Sequence, residues 1–135
     1  MSGTPHSLTV LLVDDESLVR WAISRTLARA GHVVLEAADA ASALDTLRHA
    51  VASPDVVLLD QRLPDARGFD LLSKIRAVSP ASAIVMMTAD GTPDDEAAAI
   101  RMGVSAVMQK PFDMRDVEPA LLRARATQQH RLVQE

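Results

Sequence analysis

The 135 residues carry a formal net charge of −4, contain no cysteine and are 48% hydrophobic. Dispersed Lys and Arg with no basic stripe argue against direct nucleic-acid binding, and the absence of thiols excludes disulfide scaffolds and thiolate chemistry and fits a reducing compartment. This length predicts one domain with a single core, and with Trp21, Phe69 and Phe112 as the only aromatics that core must be built from Val, Leu, Ile, Met and Ala.

Residues 1–7, MSGTPHS, are expected to form a flexible N-terminus. They lack the basic and apolar regions of a secretory signal, and the longest apolar runs are strand-length, so the chain reads as soluble and cytoplasmic with no membrane partner. Strands are predicted at 8–13 (LTVLLV), 33–36 (VVLE), 55–60 (DVVLLD), 83–88 (AIVMMT) and 105–109 (SAVMQ). Such short unbroken apolar runs suit a parallel sheet buried on both faces.

Helix-length segments alternate with these strands. The first places Val19, Ala22, Ile23, Thr26, Leu27 and Ala30 on one face, leaves Trp21 off it, and stops at Gly31. The second runs from about Ala40 to Ala50 behind an Asp39 cap, and the third from about Gly68 to Val78. The fourth starts at Thr92 with Pro93 and Asp95 as a near capping box, and its Ala-rich body predicts weak docking. The fifth begins near Asp113 and runs almost to the end. Residues 8–125 are expected to be the domain, with 126–135 a helical tail or the start of a linker. Right-handed βα crossovers then predict an α/β fold, a doubly wound five-stranded parallel sheet of order 2-1-3-4-5, flavodoxin-like (βα)5.

Ligands of such sheets bind beyond the carboxyl ends of the strands, where strand order reverses. Strand one ends into Asp14 and Asp15, strand three in Asp60, strand four in Thr88, and strand five runs into Lys110. Each has an ordinary reading taken singly: helix-dipole partners, a turn aspartate, a β-branched strand residue, a solvated lysine. All of them on one edge make the joint coincidence improbable. Carboxylates ~4 Å apart repel by about 4 kcal/mol per pair at an effective dielectric near 20, so the cluster needs a cation. Oxygen ligands without His or Cys select Mg²⁺, or Mn²⁺, over zinc. An aspartate beside a divalent ion, a hydroxyl and an ammonium suits a phosphoryl group, with the carboxylate as nucleophile.

The motifs LLVDDE, VVLLDQRLPDARGFDLL, MMTAD and QKPF, in this order and spacing, resemble the receiver domains of two-component response regulators over about residues 7 to 125. The resemblance implies a phosphorylation-dependent signalling switch rather than an enzyme, with Asp60 accepting a phosphoryl group from a sensor histidine kinase. It implies Mg²⁺ held by Asp15, by Asp14 through water, by Asp60 and by the Arg62 carbonyl. Thr88 would bond the phosphoryl oxygen and Lys110 would pair with it, with a cis peptide before Pro111. Where the family usually has an aromatic, three residues before the lysine, this chain has Val107. Arg62 and Asp90, opposite in charge, are expected to pair across the path of an attacking water. VRWAI, DQRLPD and the tail further resemble receivers that precede an ATPase module in enhancer-binding transcription activators. That likeness implies a downstream output domain, and a homodimer through the Thr92–Val133 region is expected. Two rivals share parts of this pattern. A haloacid-dehalogenase-like small phosphatase needs D-x-D on the first strand, where this chain has DDES; a flavodoxin-like flavin module needs phosphate-cradling donors there.

Overall fold

The computed structural model describes residues 7–134, so the expected flexible N-terminus, Ser7 apart, lies outside the described residues, as does the side chain of Val133. Five parallel strands form one sheet: β1 (Thr9–Val13), β2 (Val33–Ala37), β3 (Val56–Asp60), β4 (Ala83–Thr88) and β5 (Ala106–Gln109). Their order is β2-β1-β3-β4-β5, the expected doubly wound arrangement. The connecting helices are α1 (Ser17–Arg29), α2 (Ala40–His49), α3 (Gly68–Val78), α4 (Pro93–Arg101) and α5 (Val117–Gln134).

Alternation along the buried strands divides the interior into two cores. Leu11, Val13, Val57, Leu59, Ile84 and Met86 pack with Leu44, Leu47, Leu72 and Ile75 of α2 and α3. Val10, Leu12, Leu58, Val85 and Met87 pack on the other face with Ile23 and Leu27 of α1 and Val117 and Leu121 of α5. β3 and β4 are buried throughout, which is why they read as continuous apolar runs. On α1, Ile23 and Leu27 are buried and Trp21 is 59% exposed with Arg25 above its ring, whereas Ala30 is exposed rather than part of the core face. Gly31, at φ 94°, supplies the left-handed residue that ends the helix.

Two local features were not visible in the sequence pattern. The segment after β3 forms a small antiparallel hairpin, Arg62–Leu63 with Ala66–Arg67. Its turn residue Asp65 accepts the Ala40 and Ala41 N–H groups at 2.8 and 3.0 Å, so it shares the start of α2 with the expected cap Asp39. Those two N–H bonds hold the Asp65 carboxyl below its ordinary range. The fifth helix, expected from about Asp113, is preceded by a 3-10 turn over Met114–Asp116 that Asp113 caps. Arg115 bonds to Asp113 through side chain and backbone and lowers its pKa to about 2.

Side-chain hydrogen bonds gather at the amino edge of the sheet. His32 is buried; its Nδ1 accepts the Leu8 N–H at 2.9 Å, so Nε2 donates to Glu118 Oε2 at 2.5 Å. Asp55 accepts the Thr9 N–H at 2.8 Å and pairs with Arg125 at 2.8 Å. Gln128, 2% exposed, donates to the Pro80 carbonyl at 3.2 Å. α5 therefore meets the amino ends of β2, β3 and β4 in succession and stays packed through Gln128, inside the stretch expected to be a tail. No helix among the described residues is long and apolar enough to cross a membrane.

Candidate functional site

At the opposite edge, where β1 and β3 lie side by side and their connections leave on opposite faces, the expected acidic residues converge. Asp14, Asp15 and Asp60 each offer a carboxylate oxygen, and these lie within 4.8 Å of one another. Asp14 is fully buried, Asp60 is 8% exposed and Asp15 faces solvent. The Asp14 N–H is fixed by the Ala37 carbonyl of β2, and Asp14 Oδ1 accepts the Glu16 N–H at 2.9 Å. An all-oxygen donor set with two buried members and one open side fits a hard divalent cation.

Lys110 reaches into this cluster from the end of β5. Its Nζ lies 3.0 Å from Asp14 Oδ2, 3.3 Å from Asp60 Oδ2 and 3.4 Å from Glu16 Oε1. The Lys110–Pro111 peptide is cis, as expected from the family likeness. Burial alone would lower the Lys110 pKa; the Asp14 bond and the fields of Asp60, Asp14 and Glu16 more than reverse this, so it is raised and the ammonium stays charged. For Asp60 burial dominates and pushes the carboxyl up, with Asp14 adding to it, against the Arg62 N–H and Lys110. One ammonium does not neutralise three clustered carboxylates, so the site holds surplus negative charge.

Thr88 ends β4 buried at 3% exposure, and its hydroxyl donates to the Gln61 side-chain carbonyl. Arg62 donates its backbone N–H to Asp60 Oδ1 at 3.1 Å, and its guanidinium pairs with Asp90 at 3.3 Å as expected. Val107 is half-buried against the core that includes Met86 of β4 and Ala99 of α4. Two neighbours escaped the sequence reading. Glu16 is a third carboxylate partner of Lys110, signalled by its place directly after Asp14 and Asp15. Gln61 was signalled by register, since the Asp60–Met87 pairing carried one step further sets Gln61 beside Thr88.

Comparison with known proteins agrees with this geometry. The family model of the response regulator receiver domain matches residues 10–122. The probable transcriptional regulatory protein TcrX of Mycobacterium tuberculosis is 36% identical over 119 residues, 88% of this chain and 49% of that protein. The DNA-binding transcriptional regulator NtrC of Escherichia coli K12 is 36% identical over 129 residues, 93% of this chain and 27% of that protein. The chain thus spans from about a quarter to half of the length of these relatives. Among solved structures, NtrX from Brucella abortus superposes with a TM-score of 0.83 at 30% identity, over 93% of this chain and 28% of that one. A CheY-like receiver from Methanospirillum hungatei JF-1, at 24% identity, shares the fold with a TM-score of 0.83 over 93% and 98% of the two chains.

The chain belongs to the response regulator receiver domains. It is a signalling domain of the phosphorylation-dependent kind, and neither the phosphatase nor the flavin reading is supported.

Proposed function

We propose that Asp60 is the phosphoacceptor, taking a phosphoryl group from the phosphohistidine of a sensor histidine kinase. The observation that carries this reading is the convergence of Asp14, Asp15 and Asp60 within 4.8 Å, with the Lys110 ammonium touching both buried carboxylates. Mg²⁺, with Mn²⁺ as substitute, would be held by Asp14, Asp15, Asp60 and the Arg62 carbonyl. When bound it supplies positive charge for the oxygens of the transferring group.

The chain's own residues do the rest. An Asp60 carboxylate oxygen attacks phosphorus, the bond to the donor nitrogen breaks, and an aspartyl phosphate forms while the donor leaves with the electron pair. Lys110 pairs with the phosphoryl oxygens and offsets the charge of Asp14. Thr88 donates its hydroxyl to a phosphoryl oxygen and so reports phosphorylation to β4 and β5. Nothing in this sequence of events turns over a substrate, so the chain is a switch that performs its own phosphoryl transfer and slow dephosphorylation, rather than an enzyme.

In this reading the receiver unit, expected over 8–125, includes α5 as far as the packed Gln128, and the exposed end of α5 begins a helical linker toward an output domain. The names of TcrX and NtrC support transcription as the output and the cytoplasm as the compartment. A homodimer would form through the Thr92–Val133 region, where Ile100, Met102 and Leu132 are exposed. Intact-mass measurement after incubation with acetyl phosphate and Mg²⁺ tests the core claim. One phosphoryl group should be added to the native chain, and none to Asp60→Asn or in excess chelator. Equal incorporation by Asp60→Ala would overturn it.

A further inference from the structure

We propose that Gln61 is a positioning residue that holds the Thr88 hydroxyl in its resting place and thereby sets how readily the switch is thrown. The inference rests on the assignment of Asp60 and Thr88 made above. A threonine hydroxyl has one hydrogen to donate. Here it is committed to Gln61 Oε1, so the same hydrogen becomes available to a phosphoryl oxygen on Asp60 only when this bond breaks.

Gln61 is well placed for the task. Its backbone N–H continues the sheet ladder onto the Met87 carbonyl at 2.9 Å, which fixes its Cα directly after Asp60 and beside Thr88. Thr88 is confined from other sides as well. A Cβ at Gly91 would stand 2.8 Å from the Thr88 methyl, so the loop leading to α4 lies directly against the side chain. Its backbone is tied on by the Lys110 N–H, which donates to the Thr88 carbonyl at 2.7 Å. Gln61, Thr88, Gly91, Ala99 and Val107 line one small cavity beneath α4. Release of Thr88 from Gln61 therefore changes the wall on which α4 rests. Val107 fills the position of the usual aromatic, and the amide latch gives the threonine a second stable partner without a ring.

The test is a double-mutant cycle between positions 61 and 88, read as the beryllofluoride concentration at half-saturation in excess Mg²⁺ and followed by amide NMR. Gln61→Leu keeps the bulk and removes the acceptor; half-saturation should fall about three- to ten-fold, the range of one ordinary net hydrogen bond. Thr88→Ser retains the hydroxyl, so Gln61→Leu should have the same effect in that background. Thr88→Val has no hydroxyl, and there the effect should vanish. Without beryllofluoride, Gln61→Leu should lower the thermal midpoint only by what loss of that one bond implies, on the order of 3 °C, and not at all in the Thr88→Val background, which separates positioning from general damage. An unchanged half-saturation in Gln61→Leu, or an effect that persists in Thr88→Val, would overturn the proposal. A native chain that takes up no beryllofluoride would instead overturn the assignment of the site itself.

Discussion

Asp60 is held where burial and the charge of Asp14 both oppose ionisation, and its pKa is raised above 3.8. With the folded value above the unfolded one, the native state binds more protons between the two, so this group makes stability fall as pH rises through that window. At neutral pH and without metal it is a liability. Asp60→Asn should therefore raise Tm in chelator, on the order of 3 °C for about 1 kcal/mol. Lys110 gives the same slope in its own window but is an asset at neutral pH: its contribution is full below 10.5 and is lost as pH rises through its raised folded value. Mg²⁺ should raise Tm with concentration in the native chain and far less in Asp15→Asn or Asp60→Asn, as calorimetry at graded Mg²⁺ will show. The Arg62–Asp90 pair is exposed at both ends, 69% and 68%, so it contributes little to stability, and its expected role is kinetic. Arg62→Ala or Asp90→Ala should shorten the lifetime of phospho-Asp60 about two- to three-fold, the rate change matching the modest energy of an exposed pair; no acceleration in either would remove the lid. The clustered acids and Lys110 were legible because each ends an apolar strand. Gln61 and Glu16 were only signalled, by strand register and by adjacency to the acids, because the partner each side chain takes depends on its reach, which composition does not encode.

The five strands were legible from apolar runs that end at charges, and four of the helices from caps and stops such as Asp39, Thr92 and Gly31. The hairpin after β3 was not, since two-residue strands carry no periodicity. α4 has the full capping box foreseen from Thr92 and Asp95, yet among its residues only Ala99 is buried. Local order there rests on the cap more than on packing, so α4 amides should exchange hydrogen before those of β3 and β4. Thr92→Ala should hasten that exchange and cost about 1 kcal/mol. His32 shows the converse, a polar side chain on which three segments depend. His32→Ala strands the Leu8 N–H and Glu118, and a loss of about 2 kcal/mol is expected in the denaturant midpoint.

Across the whole molecule the two sheet edges are built differently. The carboxyl edge concentrates repelling charge and a lightly packed helix; the amino edge is tied by His32–Glu118, Arg125–Asp55 and Gln128–Pro80. Phosphorylation should therefore displace α4 and β5 while the amino edge stays fixed, and a coupling of about 1–3 kcal/mol shifts a dimerisation constant by 5- to 150-fold. Sedimentation with and without beryllofluoride checks this. A chain ending at Gln129 keeps the buried Gln128, so any loss of self-association in it belongs to the exposed end of α5. The amino-edge ties also bear on synthesis. His32 must wait for Glu118, 86 residues further on, which at ribosomal rates is roughly 4–17 s. Through that interval the nascent chain can assemble strands but cannot close their starting ends. The fifth helix is thus the one that completes the receiver fold, and chains halted after β5 should remain open to proteases and chaperones however well their sheet has formed.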